Sequence, residues 1–144
     1  TKCGALFGEA VVIPQKGLIP HFFTIIKQHG ALLAKGRIAG IQFSELFTDG
    51  LYEQIGKPAI DAAEQIKAAL KKFGYKLYLD TPTNQIFCIV SNDAMEKISN
   101  DVEFGFWEKY DETHSVIRFA TSWATTMEDV KELESVLEKN KEKM

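Results

Sequence analysis

Residues 75–121, YKLYLDTPTNQIFCIVSNDAMEKISNDVEFGFWEKYDETHSVIRFAT, decide the fold class of this chain. Four short runs rich in β-branched and aromatic residues alternate there with clusters of turn residues, which is the pattern of antiparallel strands. A short helix from Asp93 to Ile98, with Ser91 or Asn92 as its cap, separates the second run from the third. The predicted strands are Tyr75–Leu79, Gln85–Val90, Glu103–Tyr110 and Ser115–Thr121.

Two amphipathic helices flank this β-rich stretch. The first runs from Lys57 to Phe73 and ends at Gly74, a typical C-terminal stop. The second begins at Thr125-Thr126-Met127-Glu128, whose spacing fits a capping box. Because strands and helices are segregated along the chain, we expect an α+β fold, a small domain whose antiparallel sheet is covered on one face by helices. In the first helix Ile60, Ala63, Ile66, Leu70 and Phe73 form the apolar stripe, and Lys67, Lys71 and Lys72 lie off it.

The preceding third of the chain has a different pattern. Residues 4–13 are small and β-branched and end at Pro14, which predicts a buried strand that has no partner nearby. Residues 17–29 have apolar side chains at helical spacing. Residues 31–47 are apolar on nearly all sides, so a helix there should be buried in a core or between subunits.

Composition limits the class of protein. The 144 residues carry a net charge of −3, with 45% hydrophobic and 26% charged residues, which predicts one compact domain with room for a second small lobe. The charge balance argues against a nucleic-acid or anionic-membrane partner. No apolar run is long enough to span a membrane, and the amino terminus lacks the pattern of a signal peptide. Cys3 and Cys88 form no motif and fit a reducing cytosol.

Common catalytic motifs are absent: the chain has no P-loop, no G-x-S-x-G, no H-E-x-x-H and no G-x-G-x-x-G. His21, His29 and His114 lack metal-ligand spacing, so we predict structural or surface roles for them and no metal site.

Lys2 comes shortly before the strand predicted at residues 4–13, and Arg118 lies inside the fourth strand of the β-rich stretch. Lys2 is either a solvated chain-end charge or a desolvated amine of the kind that forms Schiff bases. Arg118 shares a strand face with Val116 and Ala120, where an unpaired charge is costly. Arg118 therefore has one of three roles. It forms an internal salt bridge, it snorkels to solvent from an edge strand, or its guanidinium binds a substrate carboxylate at two points.

Lys35 and Arg37, with Gln42 after them, interrupt the apolar helical stretch. They are either solvated helix-end charges or contacts to a phosphate or to another subunit.

Four strings resemble the carboxy-terminal part of the L-threonine aldolase/β-eliminating lyase family, which are pyridoxal-phosphate enzymes of the aspartate-aminotransferase fold (fold type I). The resemblance extends over essentially the whole chain, and the strings occur in the family's order. It is nearest to the branch with a Gly-Gly-Thr-Lys turn, of which Thr1 and Lys2 are present. The strings are TKCGALFGEAVV (1–12), GALLAKGRIAGIQF (30–43), TPTNQIF (81–87) and IRFATSWAT (117–125).

The resemblance implies specific roles for four cations. Lys2 would be the catalytic lysine that holds pyridoxal 5′-phosphate covalently, Lys35 and Arg37 would approach the cofactor phosphate, and Arg118 would bind the substrate α-carboxylate. Residues 1–34 would be the end of the large cofactor-binding domain, a strand and its first helix. Residues 35–144 would be linking helices and the small carboxy-terminal domain.

The resemblance also implies an activity and partners. The complete enzyme would be a cytoplasmic homodimer or homotetramer that cleaves β-hydroxy amino acids, for example threonine or allo-threonine to glycine and acetaldehyde. This chain would be an inactive fragment of it, lacking the large domain. The alternatives are another fold type I enzyme, such as an aminotransferase or a different β-eliminating lyase, and a non-catalytic interaction domain.

Overall fold

The computed structural model describes residues 4–141, so Lys2 and Cys3 lie outside the described residues. The chain divides into two compact units, Thr1–Glu53 and Gln54–Met144, and each is described here by itself. The boundary predicted after residue 34 stays a prediction, because these units reflect packing within the chain and not membership in a larger domain.

The second unit contains the predicted four-stranded antiparallel sheet. Its strands follow one another in space in the order β1-β2-β4-β3, which makes β2 and β4 the inner strands. Each strand ends within about two residues of its predicted bounds, because the turn clusters between them are unambiguous. The strands are β1 (Lys76–Leu79), β2 (Gln85–Ser91), β3 (Gly105–Lys109) and β4 (His114–Ala120).

Helices cover one face of the sheet, as the α+β prediction requires. They are α3 (Leu51–Lys72), α4 (Asn92–Ile98) and α5 (Met127–Lys139). Their apolar side chains and one face of β2 and β4 form a single buried core, which excludes water and supplies most of the driving force for folding. The core includes Ala62, Ala63, Ile66, Leu70, Ile86, Cys88, Val90, Ile98, Ile117, Phe119, Val130, Leu133 and Leu137.

Among the described residues of this unit, no helix contributes to the buried cluster on the opposite face of the sheet, which carries several aromatic side chains. Tyr78 and Tyr110 meet edge to face with their ring centroids 6.3 Å apart, and Phe87 meets Trp107 at 5.0 Å. Phe87, Ile89 and Val116 form a second, smaller buried cluster on this open face.

Three details of α3 and α5 differ from the sequence predictions. The helix α3 begins at Leu51, six residues before its predicted start at Lys57. The capping box of α5 uses Thr126 and Asp129, one residue later than predicted. Lys67, predicted to lie off the apolar stripe of α3, is only 4% exposed. Its ammonium group can be buried because it bonds Glu64 at 2.6 Å and the carbonyl oxygen of Thr81, with Asp80 at 3.7 Å.

The first unit contains the helices α1 (Phe22–Gln28) and α2 (Arg37–Leu46), together with the start of α3. The strand predicted at residues 4–13 is wrong: this segment is irregular, and Leu6 is 85% exposed. Gly4 and Gly8 have φ angles of +104° and +108°, outside the extended region. In addition, residues 4–53 contain no strand to which the segment could hydrogen-bond.

Both helices of the first unit are shorter than predicted and lie at the surface of that unit. Leu46 is the single buried residue among residues 4–53. The prediction that the 31–47 stretch is buried in a core is therefore wrong within this unit. Its alternative, burial between subunits, stays a prediction.

Candidate functional site

Arg118 lies in the middle of the inner strand β4, on the open face of the sheet. Its strand neighbours in register are Phe87 on β2 and Gly105 on β3. The predicted alternation is confirmed, because Ile117 and Phe119 point into the helix-covered core. Since β4 has a strand on each side, Arg118 is not an edge residue.

The guanidinium of Arg118 has polar and aromatic contacts but no carboxylate. Its Nη1 donates to Oε1 of Gln85 at 3.4 Å, and its Cζ lies 5.9 Å from the ring centroid of Trp107. Across residues 4–141 no Asp or Glu oxygen lies within 4 Å of it, so the internal salt bridge is not formed there. A half-buried guanidinium without a counterion is suited to bind an anion.

Glu108 is the carboxylate that shares this face, and Tyr78 engages it. The hydrogen bond to Glu108, followed by its charge, raises the pKa of the Tyr78 hydroxyl above its ordinary value. Within residues 4–141 Glu108 forms no ion pair with Arg118.

Lys35 and Arg37 lie together at the start of α2 in the first unit, and both are exposed. In the described part of the chain neither forms an ion pair, so both charges are available to a phosphate. Gln42, grouped with them in the sequence, has a structural role instead. Its side chain accepts from the amide of Leu6 at 2.6 Å and donates to the carbonyl of Phe7 at 3.3 Å.

The remaining candidates from the sequence have structural surroundings. His114 is the first residue of β4, and in the turn before it Asp111 accepts from the amides of Thr113 and His114 and from the His114 ring. These bonds, that from the Thr113 amide first, lower the pKa of Asp111 to about 2. Burial raises the pKa of the Cys88 thiol to about 12, which makes it a poor nucleophile.

Residues 4–141 contain neither a cluster of metal-ligating side chains nor a helix that could cross a membrane. No group of three or more His, Cys, Asp or Glu side chains there is arranged to hold a metal ion. No helix in the same stretch is both long enough and apolar enough to cross a membrane.

A cleft of about 390 Å³ lies beside α5, with an apolar floor and a rim of carboxylates. Two of these carboxylates already have structural partners: Asp101 pairs with Lys139 at 3.3 Å, and Asp129 completes the α5 capping box. Within the described stretch no lysine, arginine or histidine lines the cleft, so it offers no cation to an anionic ligand in the way Arg118 does.

Sequence reasoning missed three neighbours of Arg118, namely Gln85, Gly105 and Trp107. One signal was available for them, because a glycine inside a strand often marks the close approach of another group. Here that group is the Arg118 guanidinium.

Comparison with known proteins yields no matching family model and no matching curated protein. Among solved structures, the chain is similar to a threonine aldolase of Leishmania major, with a TM-score of 0.79 and 33% sequence identity over 84% of the chain. It also shares its fold with a Sphingomonas wittichii serine palmitoyltransferase, with a TM-score of 0.61 and 12% identity. It spans about a third of either protein, 35% and 34% of their lengths.

These matches define the class of the protein. The chain has the α+β fold of part of a fold type I pyridoxal-phosphate enzyme, as predicted. The resemblance to threonine aldolases stated from the sequence is confirmed by the Leishmania structure.

Proposed function

We propose that this chain is the carboxy-terminal part of a pyridoxal-phosphate-dependent lyase that cleaves β-hydroxy amino acids to glycine and an aldehyde. The observation that carries the proposal is Arg118: a guanidinium on the open sheet face, with no carboxylate partner in residues 4–141. The 33% identity to a threonine aldolase supports the choice of substrate class.

In this proposal Arg118 binds the α-carboxylate of the amino acid at two points. Such a grip fixes rotation about the Cα–N bond and so selects which bond at Cα is broken. The substrate hydroxyl loses its proton, the Cα–Cβ bond breaks, the aldehyde leaves, and Cα takes up a proton to give glycine.

The cofactor would be held by Lys2, and by Lys35 and Arg37 at the start of α2. When bound, pyridoxal phosphate supplies an electron sink for the bond that breaks at Cα. Lys35 and Arg37 are exposed and form no ion pair in residues 4–141, so their charges fit a phosphate. Groups that face the cofactor ring would come from the two thirds of the relatives' length that this chain does not span. We therefore expect the 144-residue chain alone to be inactive.

The activity is tested in the complete protein that contains this chain. We expect aldehyde release from threonine, allo-threonine or phenylserine, and a 420-nm absorption band that disappears in Lys2→Ala. Amino transfer to a 2-oxo acid without aldehyde release would indicate an aminotransferase instead. The lack of any 420-nm band in the wild-type protein would favour a non-catalytic interaction domain.

The two arginines of the chain provide a matched pair of variants. We expect Arg118→Lys to raise KM for the amino acid about tenfold or more, because a lysine cannot make the two-point contact. Arg37→Lys should instead weaken cofactor retention and leave the amino-acid KM nearly unchanged. Equal effects of both variants on both constants would contradict the roles proposed here.

We propose further that the enzyme is a cytoplasmic homodimer or homotetramer, with a large domain or a second subunit covering the exposed apolar side chains of the first unit. Ile38, Ile41 and Phe47 are all largely exposed in the present structure. The isolated chain should therefore self-associate and bind an apolar dye. A monomer in sedimentation that binds no dye would contradict this expectation.

A further inference from the structure

The guanidinium of Arg118 is surrounded on three sides by Gln85, Gly105 and Trp107, each of which contacts a different part of it. Oε1 of Gln85 accepts a hydrogen bond from Nη1 at 3.4 Å, and the ring centroid of Trp107 lies 5.9 Å from Cζ, within the range of a cation–π contact. Trp107 is itself supported by the buried Phe87.

Gly105 lies beside the remaining edge of the guanidinium, which carries Nε and Nη2. A Cβ atom at residue 105 would stand 3.3 Å from Nη2 and 3.4 Å from Nε, but 3.6 Å from Cζ. A side chain there would thus crowd the Nε–Nη2 edge before it touched the rest of the group. That edge presents two parallel N–H bonds, the geometry that matches both oxygens of a carboxylate.

A bulge in β3 brings Trp107 to the same face as Gly105. Phe106 pairs with Ile117 and Glu108 pairs with Val116, so Trp107 is an additional residue between two successive pairs. The added residue interrupts the alternation and directs Trp107 as well as Glu108 to the open face. Bulges commonly re-aim a side chain in this way near functional sites.

From this arrangement we propose that Gly105, Gln85 and Trp107 are positioning residues that hold Arg118 with its Nε–Nη2 edge open, and that this edge receives the substrate α-carboxylate. The inference rests on the proposed function for the identity of the carboxylate. The positioning itself is a property of residues 85–118 that can be measured without substrate.

The chain has two arginines, Arg37 and Arg118, so an NMR spectrum of the 144-residue protein contains two Nε–Hε signals. Arg37→Lys removes one and assigns the other to Arg118. We expect the Arg118 signal to show a ring-current shift from Trp107 and slower exchange with water than the exposed Arg37. Acetate should shift the Arg118 signal downfield and saturably, whereas acetamide should not.

Gly105→Ala tests the positioning directly, and Gly56→Ala is its matched control, because a Cβ at residue 56 would meet nothing within 4 Å. We expect Gly105→Ala to move the Arg118 Nε–Hε signal and remove its response to acetate, with an unchanged circular dichroism spectrum. Trp107→Leu should abolish the ring-current shift, and Trp107→Phe should restore part of it. Gly56→Ala should change neither property.

In the complete protein, Gly105→Ala should raise KM for the amino acid about tenfold with a smaller change in kcat, since it weakens carboxylate binding. An Arg118 signal that exchanges as fast as that of Arg37, or that ignores both Gly105→Ala and Trp107→Leu, would overturn the positioning. If the NMR results hold while the complete protein releases no aldehyde, the proposed function fails and the positioning stands.

Discussion

The two units of this chain contain similar apolar residues but use them differently. In the second unit, strands and helices that are close in sequence enclose a core whose central side chains, such as Leu70 and Ile117, are fully buried. In the first unit, Leu46 is the single buried residue among residues 4–53. The helix ends differ as well: Ser91 and Thr126 cap α4 and α5 with their side chains, while the residues that precede α1 and α2 make no such bond.

This difference shows that an apolar sequence becomes a core only where its partners are part of the same folding unit. The second unit contains the strands that complete its sheet. Residues 4–53 contain no strand and expose many apolar side chains, so the stability of this unit should come from other surfaces.

The largest expected effect that tests this comparison is on stability. Leu70→Ala should lower the free energy of unfolding by about 2–5 kcal/mol, because it opens a cavity in the closed core. Leu33→Ala, at a side chain that is 62% exposed, should cost less than about 0.5 kcal/mol. Urea unfolding measures both. Tryptophan fluorescence reports Leu70→Ala, because Trp107 and Trp123 belong to the second unit, and far-ultraviolet circular dichroism, which includes the helices of the first unit, reports Leu33→Ala. Similar losses in the free energy of unfolding for the two variants would contradict the difference between the two units.

A smaller effect is expected at the lysines of α3. Lys67→Ala should cost about 1–3 kcal/mol, because it leaves the carbonyl of Thr81 without its buried donor. Lys57→Ala removes an ion pair with Asp61 in which both side chains are more than half exposed, and it should cost at most about 0.5 kcal/mol. The same urea titration measures the loss in the free energy of unfolding for both variants. Equal losses would mean that burial of a lysine does not increase its contribution to stability.

The smallest effect concerns the β3–β4 turn under acid. The pKa of Asp111 in the folded protein is about 2, below its ordinary value, so its carboxylate favours the folded state at neutral pH. That contribution should be complete above about pH 4 and should be lost as pH falls toward 2. Asp111→Asn should therefore flatten the fall of Tm between pH 5 and 2. A wild-type and a variant curve that run parallel over this range would contradict the role of Asp111.

Local patterns predicted most of the second unit. Turn clusters around Asp80–Asn84 and Asp111–His114 fixed the strand limits, and the Arg118 alternation followed from the two-residue period of a strand. The 4–13 segment shows the limit of such reasoning. Its composition favours a strand, but strand formation requires a hydrogen-bonded neighbour, and composition carries no information about one.

For a related reason, only part of the candidate site could be predicted from the sequence. Arg118 stood out because a charge within an apolar strand demands an explanation. Gln85 and Trp107 could not be connected with it, because their proximity depends on the strand order and on a bulge that shifts the register by one residue. Lys67 was misplaced because its burial depends on Thr81 and Asp80, which follow it by 14 and 13 positions in the sequence.

By itself the sequence determined the α+β class, the strand and helix segments of the second unit, and the presence of an arginine on one face of its fourth strand, since each depends on short-range periodicity and turn chemistry. The tertiary structure alone decided that this arginine has no carboxylate beside it in residues 4–141 and that a Cβ at Gly105 would come within 3.4 Å of its Nε and Nη2. These properties arise from contacts between strands distant in sequence, where a single residue of register determines which side chains meet.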